Sequence, residues 1–190
     1  YGELTEDSLR PEAIRDALLT VSGRIDTTQF GPPIEPFRTA EDAQKRLFRG
    51  PLDGRGRRSI YLEMTLMEPP RFLALFNQPL PKQTVGRRDV TNVPDQALAL
   101  LNDPFVIEMA RHWSERLVRD GAATPDQRVA TMLAAALARP GRPEEVAALV
   151  QLVQRGAALR GATGDLLPQP AVWQDAAHAV FNLKEFIYVP

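Results

Sequence analysis

No cysteine occurs anywhere in the 190 residues. That absence excludes disulfides, zinc–thiolate centres, thiol nucleophiles and covalent haem attachment, and it leaves the redox compartment open. Aromatic residues are sparse, at 7%, which argues against a broad sugar-stacking face. Neither sign of charge dominates. Lys and Arg number 23 against 24 Asp and Glu, for a net charge of −1, so the chain has no general electrostatic grip on nucleic acid or on an anionic membrane. No apolar run approaches the roughly 20 residues that a membrane-spanning helix needs. There is no Gly-rich phosphate loop of standard spacing, no nucleophile elbow and no Cys/His cluster. The two histidines, His112 and His178, stand alone on predicted helices, with no His or carboxylate four residues further on to complete a metal site. The expectation is therefore no metal, no cofactor, no nucleic acid and no membrane insertion.

What is present is a globular composition, 44% apolar and 25% charged. The length suits one domain with a proper core. Residues 1–190 are read as that single domain, with 24–90 an irregular segment packed on a helical bundle. The chain opens on Tyr1, without Met or a signal peptide, and is expected to be a fragment of a larger protein. Charge is unevenly spread. Residues 38–90 hold eleven basic against six acidic residues, a local +5, and residues 1–37 hold three against seven, a local −4. These regions read as solvated surfaces that face one another, or as a basic partner surface.

The fold class expected is mainly α. Ile14, Ala17, Leu18 and Val21 form one stripe, with Pro11 in the first turn and Ser22-Gly23 as the stop. Gly31-Pro32-Pro33 and Pro36 break regular structure. A short amphipathic piece is expected over residues 40–48, followed by an exposed, mobile loop over 50–57. Residues 59–67, around Ile60-Tyr61-Leu62, are the single candidate strand, or an extended segment laid across helices. Phe72, Leu73, Leu75 and Phe76 suggest a short helix. From Thr91 onward the pattern is helical, with Thr91 or Asn92 as the first cap and breaks near Asp103, Gly121, 139–142 and 156–169. The inward stripes expected are Ala97, Leu98 and Leu101, then Val106, Met109, Ala110, Trp113 and Leu117, then Val129, Met132, Leu133, Ala136 and Leu137. Val146, Leu149, Val150 and Val153 follow, and a last helix carries Trp173, Ala176, Ala177, Val180, Leu183 and Phe186. Residues 91–190 thus read as four or five packed helices with antiparallel neighbours.

An ordered series of short motifs carries a resemblance. Glu12-Ala13-Ile14-Arg15-Asp16-Ala17-Leu18-Leu19 comes first, then Arg57-Arg58-Ser59-Ile60-Tyr61, Pro69-Pro70 and Phe76-Asn77-Gln78-Pro79. Arg87-Arg88-Asp89-Val90-Thr91-Asn92-Val93-Pro94 and Leu101-Asn102-Asp103-Pro104-Phe105-Val106 follow, with His178-Ala179-Val180-Phe181-Asn182 near the end. In this the chain resembles the planctomycete-type domain of unknown function found near the C-terminus of large exported proteins, which often also carry a cytochrome-c-like domain. The resemblance implies export to the periplasm or cell surface and a multidomain setting, with a connection to complex carbohydrate. The family often has an acidic residue where Asn77 stands and a cysteine-containing stretch near 82–85; this sequence has neither.

Among polar residues, Arg87, Arg88, Asp103, His178 and Glu185 form the candidate cluster. Arginine forks grip carboxylates or phosphates in a bidentate manner, and helix N-termini favour anions. The structural alternative is an arginine clamp on Asp103, Glu185 or backbone carbonyls, with Asn92, Asn102 and Asp103 acting as helix caps. Arg15 and Asp16, adjacent on a helix, point about 100° apart and are expected to bridge to other elements rather than to each other. The functional expectation is a non-catalytic helical module with an architectural role, or one that binds protein or polysaccharide, its partners being other domains of the same protein. The alternative is part of a hydrolase acting on complex carbohydrate, with carboxylates shared with upstream sequence.

Overall fold

Prolines place the helices. Six of the seventeen stand at the first helical position, where their missing N–H costs nothing and their fixed φ is already helical. These are Pro11 of α1 (Pro11–Ser22), Pro94 of α3 (Pro94–Asn102), Pro104 of α4 (Pro104–Asp120), Pro125 of α5 (Pro125–Leu137), Pro143 of α6 (Pro143–Leu159) and Pro170 of α7 (Pro170–Phe181). Among the described residues two short helices complete the set, α2 (Arg71–Leu75) and α8 (Lys184–Ile187). The computed structural model describes residues 7–37, 50–66, 69–82, 84–86, 88, 91 and 93–189. The amphipathic piece expected over 40–48 lies outside them.

The fold is a mainly α helical bundle. Its centre is the α4–α7 pair, with α1, α5 and α6 packed around it. The core strip of α4 is the one expected: Val106, Met109, Ala110, Trp113 and Leu117 are all buried. Trp113 stacks on Phe181 of α7 with ring centroids 5.0 Å apart, and Phe181 meets Phe186 of α8 at 5.2 Å. Trp173 is fully buried; its indole N–H donates to the Leu166 carbonyl at 2.9 Å, and the Arg128 guanidinium lies over its ring at 4.7 Å. Burying aromatic groups of this size is the main stabilising contribution of such a core. At the chain's two ends a minimal antiparallel ladder pairs β1 (Asp7–Ser8) with β2 (Tyr188–Val189).

Helix ends follow the expected chemistry. The Asp103 carboxylate accepts the Phe105 N–H at 2.8 Å and caps α4, the Thr124 hydroxyl accepts the Gln127 N–H at 3.1 Å and caps α5, and Gly23 closes α1 in the left-handed conformation. For α3 the outcome differs. Its N-cap is Val93, whose amide donates to the Gln96 side chain, and Thr91 instead bonds the Asn77 side chain. Asn92 lies outside the described residues.

Four readings of the sequence are corrected. The stripe Ala97, Leu98, Leu101 is not inward; Gln96, Ala99 and Leu100 are buried instead. This helix is apolar on nearly every side, so periodicity cannot choose its buried face. The strand around Ile60 is a 3-10 turn, Ser59–Tyr61, followed by a single parallel bridge from Leu62 to Ile34. The final helix is broken at Asn182, and Leu183 is a cap rather than a core residue. The loop over 50–57 is not exposed along its length: Gly54, Gly56 and Arg57 are buried, because a cation on α1 holds it down.

Candidate functional site

That cation is Arg15. It lies three and four residues before Leu18 and Leu19 and four after Pro11, on the helix face that is buried. A guanidinium committed to the interior must find acceptors there, and it finds them in the loop that passes α1. Nη1 donates to the Arg57 carbonyl at 2.9 Å and the Ser59 hydroxyl at 3.3 Å, and Nη2 donates to the Asp53 carbonyl at 2.7 Å. Only 4% of the residue is exposed. Burial pulls its pKa down to about 10, with Asp16 and Asp53 pulling it partly back.

Asp16 grips the same loop from the next position. Its carboxylate accepts the Ser59 N–H and hydroxyl, both at 2.7 Å, and the Arg58 Nε–H at 3.2 Å. The two neighbours on α1 therefore act on one segment, although Arg15 also comes within 3.8 Å of Asp16 itself. The loop folds close enough for this only because of its glycines. A Cβ on Gly56 would stand 2.0 Å from the Arg24 carbonyl oxygen, one on Gly54 would stand 2.6 Å from Arg15 Nη2, and both residues have positive φ.

A second buried arginine continues the tie. Arg57 donates to the Thr28 and Phe30 carbonyls at 3.0 and 2.6 Å and lies over the Tyr61 ring at 4.0 Å. The Tyr61 hydroxyl accepts the Phe30 N–H at 2.8 Å. Arg24 pairs with Asp53 at 2.6 Å. Arg15 and Arg57 thus hold the irregular chain at 28–30 and at 53–59. The residues were visible in the sequence, but their role was not. The available signal was a charge set on the apolar face of α1.

Of the five residues of the expected cluster, the four described go to separate places. Arg88 donates to both carboxylate oxygens of Glu12, at 3.0 and 2.9 Å, with 40% of its side chain exposed. Arg87 lies outside the described residues. Asp103 caps α4, and burial raises its pKa above the ordinary carboxylate value despite the Phe105 amide and the Arg71 charge. His178 Nε2 is 2.8 Å from the Leu100 carbonyl, so that nitrogen carries the proton. Glu185 pairs with Arg139, which also grips Glu145 at 2.8 Å. Arg88 thus ties the segment before α3 to a carboxylate at the start of α1, Glu12, while the other arginine of the expected clamp, Arg87, lies outside the described residues.

His112 is better furnished than a count four residues forward suggests. Glu108, four residues before, lies 3.2 Å from Nε2, and Glu115, three after, lies 3.6 Å from Nδ1. Arg111 shares both carboxylates. No group of three His, Cys, Asp or Glu among the described residues has the arrangement of a metal site.

Several concavities adjoin these residues, two of them lined by Asp103. A small cavity of about 80 Å3 sits between α1, the loop, α2 and the start of α4, lined by Arg15, Leu52, Leu62, Phe72, Asp103 and Phe105 among others. A wider groove of about 490 Å3 runs along α3, with Arg71, Leu75, Asp95, Leu98 and Asn102 on its walls. Beside it, 53% of Leu98 and 50% of Leu101 are exposed.

Comparison with known families gives one match. The family described as "Protein of unknown function (DUF1553)" matches residues 3–153. The matched stretch ends inside α6, whereas α7, which supplies Trp173 and Phe181 to the core, lies beyond it. No curated protein and no solved structure matches the chain.

Proposed function

This chain belongs to the DUF1553 family, and on that footing we propose that it is a non-catalytic helical module of an exported, multidomain protein, docking other domains of that protein through the outer face of α3. The observation that carries the reading is the exposed pair Leu98 and Leu101 beside the α3 groove. An apolar helix face left open next to a groove with a few polar residues has the character of a contact surface. The charged residues favour the same view, since Arg88, Asp103, Glu185 and His178 each have a partner within the fold. A planctomycete-type parent with a cytochrome-c-like domain belongs to this proposal, as does polysaccharide as a further ligand.

The hydrolase alternative has one observation in its favour, the raised pKa of Asp103, as a general acid requires. The charge that acts on Asp103 is Arg71, however, and not the second carboxylate that glycoside hydrolysis uses. The test is to compare the longer protein with its Leu98→Glu/Leu101→Glu variant by limited proteolysis. Faster release of this module in the variant is the expected result. Unchanged cleavage would refute docking through α3, and glycan hydrolysis abolished by Asp103→Asn would favour the enzyme.

A further inference from the structure

We propose that the cavity beside Arg15 binds a small monocarboxylate with a short apolar tail. The first argument is charge. Arg15 is buried, and its hydrogen bonds go to neutral acceptors, two backbone carbonyls and a hydroxyl. Asp16 and Asp53 are the carboxylates that act on it, and both are shared: Asp16 with Arg58, and Asp53 with Arg24. Three guanidinium groups therefore divide two carboxylates, and the cluster is one anion short.

The second argument is geometry. A guanidinium has five N–H donors in a planar fork. Three of Arg15's are used by the loop. The three ties run through Nη1 and Nη2, and none among the described residues runs through Nε. An Nε–H beside an Nη–H is an edge that a carboxylate grips with both oxygens. Arg15 lines the cavity, and the Phe105 ring lies 5.4 Å from its central carbon.

The remaining walls set the ligand's class. Leu52, Leu62, Phe72, Leu73 and Phe105 offer no hydrogen bonds from their side chains, so the group beyond the carboxylate is apolar. The volume of about 80 Å3 limits it. At roughly 10–15 Å3 for each water-sized group, the cavity takes a short chain and not a long lipid. Asp103 also lines the cavity and would repel an anion, but Arg71 stands on the same wall. The lining then carries two guanidinium groups and one carboxylate, an excess of one positive charge.

The test is an NMR titration of the protein with butyrate, with butyramide as the neutral isostere and sodium chloride as the salt control. Saturable shifts at the resonances of Leu52, Phe72 and Phe105 are expected with butyrate, with a Kd on the order of 1 mM, and none with butyramide or chloride. Leu52→Phe fills the cavity while leaving the Arg15 ties intact, and is expected to abolish the shifts. Arg15→Lys keeps the charge but loses the fork, and is expected to weaken binding at least about tenfold. Each variant is first checked for a cooperative melt. Equal response to butyrate and butyramide, no saturable response to butyrate, or full binding by a folded Leu52→Phe protein would each overturn the proposal.

Discussion

Replacing Arg15 by Ala removes a buried cation and leaves three acceptors facing one another: the Arg57 and Asp53 carbonyls and the Ser59 hydroxyl. Hydrogen bonds from a charged donor contribute about 1.5–3 kcal/mol each. Against that loss stands relief of the penalty for burying the guanidinium, which is several kcal/mol. Asp16 keeps Arg58 and Ser59 and is not stranded. The balance is a destabilisation of about 3 kcal/mol. For a chain of this length that lowers Tm by roughly 6–12 °C. Urea unfolding monitored by circular dichroism measures the free energy, and hydrogen exchange at 53–62 locates the damage. Arg88→Ala is the control. It removes a half-exposed ion pair to Glu12, so its cost is about 1 kcal/mol or less. If Arg15→Ala stays within about 0.5 kcal/mol of the parent, as ordinary surface changes do, the argument that Arg15 anchors the loop fails.

Three further predictions concern the core, the loop and acid stability. Trp173→Ala removes a fully buried indole, its bond to Leu166 and the platform under Arg128; chemical denaturation is expected to show a loss of about 3–5 kcal/mol. Gly56→Ala drives a Cβ to 2.0 Å from the Arg24 carbonyl oxygen at positive φ, and a Tm lowered by several degrees is expected, whereas an unchanged Tm would show that the loop adjusts freely. Hydrogen bonds from Arg139 and the Arg142 amide hold the Glu145 carboxyl down at about 2, from an ordinary 4.5. A depressed folded-state pKa gives stability that is present above 4.5 and lost as pH falls towards 2. Because the group is partly exposed the effect is small, and Glu145→Gln is expected to flatten the stability profile in that window, with no change in its slope above pH 5.

How far the sequence could be read follows from how each element is stabilised. Helix starts were legible because proline at the first position and Asp103 or Thr124 just before it act locally. The α4 strip was legible because its polar face is strongly charged, so only one side can be buried. In α3 the run Ala97 to Leu101 offers two apolar sides, and tertiary packing chose between them. The turn at 59–61 and the buried loop at 54–57 depend on Arg15, more than thirty residues away in sequence, and no local signal encodes such a partner. Asn77, where the resembling family often has an acid, sits at positive φ and bonds Thr91; it is a turn residue here. The expected site residues were polar groups in recurring motifs. In the structure Arg88, His178 and Glu185 make ties and Asp103 a cap, and Asp103 also lines the cavity where the α1 charge meets Phe72 and Phe105.

The claim that α3 is a docking face is tested most directly by hydrogen–deuterium exchange at residues 94–102, measured in this chain alone and in the longer protein that the proposed function requires. The α3 amides near Leu98 and Leu101 are expected to exchange at least about tenfold more slowly in the longer protein, as burial of an exposed helix face requires. Equal rates in the two would contradict the account.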